Sequence, residues 1–238
     1  MSGSSAKSLP AAETASAFLR IRMKHLILYD LDGTLLDTRE DIARSANFML
    51  RQMERPELSP EEIARYVGRG LHHLIQNCLK TRERRVVEKG AAIYRDYYGK
   101  HMLDHSRLFP GALELLRHFQ GRVQAVITNK PNPFSEDLLK ALGVAAFFQE
   151  VIAGDSGFAR KPDPEAILYL IKKNGVEPGD ALFVGDSAVD VETARRAGIQ
   201  AACILHGFGT ENELQSARPD FLVTGFAELL QTARNLAW

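Results

Sequence analysis

Strands and helices alternate along the second half of the chain, and no other feature limits its fold as strongly. From Phe109 onward, short apolar runs are separated by amphipathic segments and turn residues. The pattern predicts strands at 122–128, 148–153, 181–185, 200–205 and from 220, and helices at 111–119, 132–142, 163–173, 188–197 and up to 234. Such alternation is typical of an α/β fold in which helices cover both faces of a mainly parallel sheet. We therefore predict a doubly wound, Rossmann-like core.

One further strand is predicted far upstream, at residues 25–29, where an apolar run precedes two aspartates. After Asp37 the apolar spacing becomes helical and stays so up to about residue 107. We expect the first strand to join the same sheet, which makes the helical block an insertion that contains no strand. The predicted domains are a core of residues 23–37 and 108–238 and an all-helical cap of residues 38–107, with linkers at 36–38 and 107–111.

The composition argues against several classes of partner. The 30 Lys and Arg residues balance the 30 Asp and Glu residues, so the chain has no global field to attract nucleic acid or an anionic membrane. No stretch reaches the roughly 20 apolar residues of a membrane span. Cys78 and Cys203 lack the spacing of a disulfide framework or a zinc site, which favours free thiols in a reducing cytoplasm. We expect a cytoplasmic monomer or homodimer that acts on a small molecule.

The first 22 residues differ in composition from the rest of the chain. They are rich in Ser, Gly and Ala and show no hydrophobic periodicity, so we expect this stretch to be poorly ordered. It has no apolar segment of signal-peptide length, and its Ser and Ala content is only a weak indication of a transit peptide.

Polar residues follow the predicted strands at the points where the strands end. In an open α/β sheet, ligands bind outside the carboxyl ends of the strands, so we expect these side chains to meet. They are Asp30, Asp32, Thr128, Asn129, Lys161, Asp186 and Asp190. A cluster of carboxylates with a lysine and a hydroxyl is suited to metal-assisted phosphoryl transfer, in which the transition state needs charge stabilisation above all.

Four segments carry these residues: Asp30–Asp37 (DLDGTLLD), Ile127–Asn129 (ITN), Lys161–Pro162 (KP) and Gly185–Asp190 (GDSAVD). In order and spacing they resemble motifs one to four of the haloacid dehalogenase superfamily of phosphatases. The resemblance covers nearly the whole chain from about residue 24. Within that superfamily the chain is similar to the phosphoglycolate phosphatases through Thr128–Pro131, Val67–Gly70 and Lys161–Pro164.

The resemblance, together with the chemistry of the side chains, implies catalytic roles. Asp30 would attack phosphorus and form an aspartyl-phosphate. Asp32 would protonate the leaving oxygen and then activate water, so it must hold a proton at neutral pH for the first step. The Lys161 ammonium, with a divalent cation, would keep Asp30 ionised. Thr128 and the Asn129 amide would bind the phosphoryl oxygens.

The same resemblance implies an oxygen-only site for Mg²⁺. Its protein ligands would be the Asp30 side chain, the Asp32 backbone carbonyl and Asp186, with Asp190 ligating directly or through water. Gly33 would let the backbone close on the phosphoryl group. In the cap, Arg69 between two glycines is our candidate for contacting the rest of the substrate, a carboxylate in the case of 2-phosphoglycolate.

Alternatives remain open from the sequence. A phosphomutase of the β-phosphoglucomutase type also needs an acid at Asp32, and a nucleotidase or pyrophosphatase would use the same scaffold. A catalytically idle binding module would leave every catalytic position without a role. Taken singly, Lys161 resembles a solvated loop lysine, and Asp190 a favourable charge in the first turn of a helix.

Overall fold

A computed structural model of the chain describes residues 23–238. The predictions made for residues 1–22 lie outside the described residues. The strands are β1 (Leu26–Tyr29), β2 (Leu36–Asp37), β3 (Arg107–Leu108), β4 (Val123–Ile127), β5 (Glu150–Ile152), β6 (Ala181–Gly185), β7 (Gln200–Ile204) and β8 (Phe221–Val223). The helices are α1 (Arg39–Gln52), α2 (Pro60–Ala64), α3 (Leu71–Cys78), α4 (Arg84–His101), α5 (Ala112–His118), α6 (Phe134–Ala141), α7 (Glu165–Asn174), α8 (Ala188–Ala197), α9 (Glu211–Ala217) and α10 (Phe226–Asn235).

Six parallel strands form the core sheet in the order β5–β4–β1–β6–β7–β8, which confirms the predicted doubly wound fold. The first strand lies at the centre, between β4 and β6. The chain adds β4 and β5 on one side of β1 and then crosses to add β6, β7 and β8 on the other side. The strand order therefore reverses at β1, which is where open α/β sheets bind their ligands.

Alternating side chains of β1 enter two separate hydrophobic cores, one on each face of the sheet. Ile27 and Tyr29 pack with residues of α5, α6 and α10, whereas Leu26 and Leu28 pack with residues of α7, α8 and α9. All four side chains are fully buried. A strand covered on both faces has no need for alternating polar residues, which explains its continuous apolar sequence.

Helices α1 to α4 form the cap, and their apolar faces continue the core that contains Ile27 and Tyr29. The cap lies against the ends of the strands rather than away from them. Tyr98 of α4 packs edge-on against Phe134 of α6, with ring centroids 5.2 Å apart, and Lys130 of the core donates a hydrogen bond to the Tyr98 hydroxyl. These contacts hold the cap closed over the core.

The two linkers pair with each other, which the sequence did not predict. Leu36 and Asp37 form an antiparallel pair with Leu108 and Arg107, so the all-helical description of residues 38–107 fails at residue 107. Arg107 also forms an ion pair with Asp37 at 3.0 Å. Strands of two residues are too short to produce a recognisable pattern in sequence. Pairing makes the two crossings between core and cap a single hinge.

A further helix, α9, was also missed between the last two strands. Its N-terminus is capped by Thr210, whose hydroxyl accepts a hydrogen bond from the Glu213 amide while the Glu213 carboxylate accepts from Thr210.

Cys78 and Cys203 are buried free thiols, as predicted, and burial raises the pKa of Cys78 to about 12. Within residues 23–238, no helix combines the length and the apolar character that a bilayer crossing needs.

Candidate active site

The backbone register brings the predicted catalytic segments to one level. Tyr29 of β1 pairs with Val126 of β4 and with Val184 of β6, and the amide of Asp30 donates to the Val184 carbonyl at 2.9 Å. The residues that follow these pairs therefore project from the same edge of the sheet. The sheet topology alone thus brings Asp30 close to the segments that follow β4 and β6.

Lys161 bridges two of the predicted acids. Its Nζ lies 2.8 Å from Asp30 Oδ1 and 2.7 Å from Asp190 Oδ1, and all three side chains are at least nine-tenths buried. Burial would lower the pKa of Lys161, but the charges of Asp190 and Asp30 outweigh that effect and raise it well above its ordinary value. Lys161 is therefore a permanent buried cation beside Asp30, and the alternative of a solvated loop lysine is excluded.

Asp190 also closes the first turn of α8. Its Oδ2 accepts bonds from the Ser187 amide at 3.1 Å, the Ser187 hydroxyl at 2.6 Å and the Asp186 amide at 3.2 Å. One carboxylate thus caps a helix with one oxygen and orients Lys161 with the other. Asp190 therefore has the structural role expected of an acid in the first turn of a helix, and it also contacts Lys161.

Asp186 is held by groups from two other loops. Its Oδ1 accepts from the Thr34 hydroxyl at 2.6 Å, and its Oδ2 accepts from the Phe208 amide at 2.7 Å. Glycines make this position possible, because a side-chain carbon at Gly33 or Gly207 would overlap the Asp186 carboxylate. Gly33 also has a positive φ of 86°, a conformation that favours glycine.

Gly33 also has a structural role within its own loop and beside Asp186. Its amide donates to the Leu36 carbonyl at 2.8 Å, and its missing side chain makes room for Asp186. Gly33 therefore supports the site from the side of Asp186, and its amide is already hydrogen-bonded within its own loop.

The buried carboxylates strongly affect one another. Burial raises the pKa of Asp30 from 3.8 to about 6; Asp190 adds to the shift and Lys161 opposes it. Burial also raises the pKa of Asp186 well above its ordinary value, with further contributions from Asp190 and Asp30. Three acids share this buried region with only the ammonium of Lys161. When the acids are ionised, their negative charge therefore exceeds the positive charge beside them.

This cluster fits a divalent metal ion. Asp30, Asp186 and Asp190 each offer an oxygen, and these three atoms lie within 4.8 Å of one another. An all-oxygen set with surplus negative charge suits Mg²⁺ better than softer metals. A bound cation would supply the positive charge that Lys161 alone does not.

We predict that Mg²⁺ raises the melting temperature more at about pH 7.5 than at about pH 5. A carboxyl whose folded-state pKa is raised from 3.8 to about 6 stabilises the metal-free protein fully below about pH 4, and this contribution is lost as the pH rises through about 6. Metal binding requires the deprotonated carboxylates, so its benefit appears in the same interval. Thermal denaturation with and without MgCl₂ at both pH values measures the effect.

The control for this prediction is Asp186→Asn, which removes one ionisable ligand. We expect the Mg²⁺-dependent shift to shrink strongly in this variant at the higher pH. An equal shift at both pH values in the unmodified protein would contradict the assignment of these acids to the metal.

Asp32 lies in a second network, on the side of the cap. Its Oδ1 accepts from the Thr38 hydroxyl at 2.8 Å, and Lys130 Nζ donates to Oδ1 and Oδ2 at 3.0 and 3.1 Å. The same ammonium donates to the Tyr98 hydroxyl at 2.7 Å and lies 4.4 Å from the centre of that ring. Asp32 is therefore joined to the hinge through Thr38 and to the cap through Lys130 and Tyr98.

Thr128 and Asn129 differ in what their side chains do. The Thr128 hydroxyl accepts from the Lys130 amide at 3.1 Å, and a hydroxyl that accepts still has its proton to donate. The Asn129 side chain joins three loops: it donates to the carbonyls of Gly68 and Lys161 and accepts from the Lys161 amide. Asn129 therefore positions Lys161 and fastens the cap loop to the core.

A cavity of about 50 Å³ lies between the core and the cap. Its polar wall comes from Asp30, Asp32, Thr128, Asn129 and Lys130, and its apolar wall from residues of α1, α3, α4 and α6. The apolar wall includes Ile42, Leu71, Leu74, Tyr94 and Phe134, together with Val67, Tyr98 and Pro131. The cavity is thus lined by the predicted nucleophile and acid on one side and closed by the cap on the other.

Arg69 does not line this cavity. Its neighbours Gly68 and Gly70 do, whereas the Arg69 side chain is exposed to solvent. A loop with two glycines of positive φ turns sharply at this point, and the residue between them is exposed. The structure therefore brings together all the predicted site residues except Arg69, with Gly33 and Asn129 serving as supports.

Sequence reasoning missed Lys130, Thr34, Thr38 and Tyr98 as site residues. Lys130 directly follows Thr128 and Asn129, so its position three residues past the end of β4 was the available signal. Tyr94 and Tyr98 are spaced by four residues on one helix, a pattern that also fits ordinary core packing. Only the placement of α4 over the strand ends distinguishes the two interpretations.

The chain is similar to known proteins over most of its length. Residues 27–204 match the model of the family described as haloacid dehalogenase-like hydrolase. The chain is 35% identical over 209 residues to the phosphoglycolate phosphatase of Thiobacillus denitrificans, covering 85% of this chain and 92% of that protein. It is 32% identical over 232 residues to phosphoglycolate phosphatase 1 of Pseudomonas aeruginosa, covering 94% of this chain and 85% of that protein.

Solved structures agree with this result. The crystal structure of a predicted phosphoglycolate phosphatase from Haemophilus somnus 129PT has a TM-score of 0.84 and 30% sequence identity, covering 88% of this chain and 98% of that chain. The fold of this chain, including its strand order and inserted helical cap, therefore matches that of a related protein over nearly the whole length of that protein.

Proposed function

This chain belongs to the haloacid dehalogenase-like hydrolase family, and from that membership and the geometry of the site we propose that it hydrolyses a small phosphate monoester, with 2-phosphoglycolate as the preferred substrate. The observation that carries the proposal is the contact of Asp30 with Lys161 beside Asp186 and Asp190, with Asp30 also in the wall of the cavity between core and cap. The names of its relatives support the choice of substrate.

Asp30 is the nucleophile in this proposal. Its carboxylate borders the cavity, and Lys161 holds one of its oxygens at 2.8 Å, which leaves the other oxygen to attack phosphorus in line with the leaving group. The resulting aspartyl-phosphate is then hydrolysed by water. The Thr128 hydroxyl, which also borders the cavity, donates to a phosphoryl oxygen in both steps.

Asp32 is the general acid and general base in this proposal. It lies in the cavity wall two residues after Asp30, where it can protonate the ester oxygen and afterwards take a proton from the attacking water. Mg²⁺, held by Asp30, Asp186, the Asp32 carbonyl and Asp190 directly or through water, would offset the negative charge of the carboxylates and of the phosphoryl group. The closed cap excludes bulk water from these steps.

The direct test is phosphate release from a panel of small esters with MgCl₂ present. The panel contains 2-phosphoglycolate, p-nitrophenyl phosphate, a nucleoside monophosphate, pyrophosphate and a hexose phosphate. We expect the highest kcat/KM with 2-phosphoglycolate and a reversible loss of activity in excess EDTA. Activity that survives excess EDTA would refute the metal assignment, and a rearranged sugar phosphate without phosphate release would identify a phosphomutase instead.

A further inference from the structure

Lys130 is a buried cation that takes no part in the hydrolysis steps described above. Its side chain is only 6% exposed, and it stands in the cavity wall on the side of the cap. Lys161 already accompanies the nucleophile, and it lies on the side of the acidic cluster. A second buried ammonium is costly unless an anion accompanies it.

In this structure the anion beside Lys130 is the proposed acid. Both oxygens of Asp32 accept from Lys130 Nζ, and Oδ1 also accepts from Thr38. To protonate an ester oxygen, Asp32 must first carry a proton, and it must give up at least part of this contact. Lys130 then needs another negative group at the same place.

We propose that Lys130, assisted by the Tyr98 hydroxyl, binds a carboxylate of the substrate located two bonds from the ester oxygen, and thereby selects phosphate esters of 2-hydroxy carboxylic acids. This inference rests on the proposed phosphatase function. In such an ester the carboxylate lies close to the ester oxygen that Asp32 protonates. A cation in contact with Asp32 can therefore reach the substrate carboxylate while Asp32 reaches the ester oxygen.

Tyr98 is suited to the second contact. Its hydroxyl accepts from Lys130, which leaves its own proton to donate to the same carboxylate. Burial, and after it the charges of Asp32 and Asp41, raise the pKa of Tyr98 well above its ordinary value, so the hydroxyl stays protonated. Because Tyr98 belongs to the cap and Lys130 to the core, a carboxylate bound between them would also hold the cap closed.

The test compares two substrates that differ at one group: 2-phosphoglycolate and ethylene glycol monophosphate, in which a hydroxymethyl group replaces the carboxylate. We expect Lys130→Met to lower kcat/KM for 2-phosphoglycolate on the order of 10²-fold more than for the analogue, as for loss of one partner of a buried charge pair. The larger part of the loss should be in KM. Lys130→Arg, which keeps the charge, should restore part of the preference.

Two further variants serve as matched controls. Lys140→Met removes an exposed lysine from α6 and should leave both substrates unaffected. Arg69→Ala removes the exposed cap arginine; a selective loss with 2-phosphoglycolate in this variant, and none in Lys130→Met, would assign the carboxylate to Arg69 and overturn the proposal.

The outcomes separate this proposal from the one on which it rests. If the unmodified protein hydrolyses no phosphate ester, the proposed function fails. If it hydrolyses both substrates and Lys130→Met lowers both equally, Lys130 only positions Asp32 and the present inference fails. Should Lys130→Met not fold, Tyr98→Phe decides, because it removes one of the two proposed donors while the ring keeps its packing against Phe134; an unchanged substrate preference there overturns the proposal.

Discussion

Replacing Asp30 with asparagine is expected to abolish turnover, with a loss of roughly 10⁴-fold or more in kcat. An amide is a very poor nucleophile towards phosphorus, and the uncatalysed hydrolysis of phosphate monoesters is too slow to supply a measurable background. Asparagine has nearly the same shape as aspartate, and its carbonyl oxygen can still accept from Lys161, so the fold should survive. Steady-state phosphate release with 2-phosphoglycolate or p-nitrophenyl phosphate measures the loss.

The matched control is Asp96→Asn on α4, because that side chain is 71% exposed and does not line the cavity. It should retain full activity. A complementary measurement is acid quenching of the unmodified enzyme during turnover, which should trap phosphate on the peptide that contains Asp30. Substantial turnover by Asp30→Asn, or phosphate trapped on a different residue, would refute the nucleophile assignment.

The position of Asp30 was predictable because few principles determine it. A continuous apolar run that ends in two aspartates indicates a strand buried on both faces, and the ends of parallel strands meet at one sheet edge. Lys161 and Asp186 follow from the same rule once the strands preceding them are recognised. The local pattern therefore suffices wherever backbone topology alone sets the distance between two residues.

The network around Lys130 was not predictable in this way. Its contact with Tyr98 depends on how the cap closes over the core, and no local pattern along the chain encodes that orientation. The same limit explains the result for Arg69, since its place between two glycines gave no information on which way the side chain points. Contacts across a hinge are set by tertiary packing, not by periodicity.

Short elements were missed for another reason. The paired strands β2 and β3 contain two residues each, fewer than any alternation needs, and their pairing is visible only in three dimensions. By contrast, α9 carries a capping box of Thr210 and Glu213 that was available in the sequence. Attention to caps as well as to apolar periodicity would have found that helix.

Replacing Asp32 with asparagine is expected to lower kcat/KM by roughly 10²- to 10⁴-fold, the usual range for loss of a general acid. The size of the loss should depend on the leaving group. An alkoxide such as the one released from 2-phosphoglycolate is a strong base and needs a proton as the ester bond breaks, whereas nitrophenolate leaves without one. A series of aryl and alkyl phosphates, ranked by the acidity of their alcohols, should therefore show a steeper dependence in Asp32→Asn than in the unmodified enzyme.

Thr38→Val provides the comparison that separates proton transfer from positioning. The Thr38 hydroxyl donates to Asp32 Oδ1 at 2.8 Å from the hinge, so its loss alters the orientation of the acid but leaves the acid present. We expect this variant to lower activity on all substrates by a similar and smaller factor, without steepening the dependence on the leaving group. If Asp32→Asn instead lowered kcat/KM, which reports the first phosphoryl transfer, by the same factor for every substrate, Asp32 would be acting in that step through its contacts with Lys130 and Thr38, and protonation of the leaving group would have to come from another donor in the cavity.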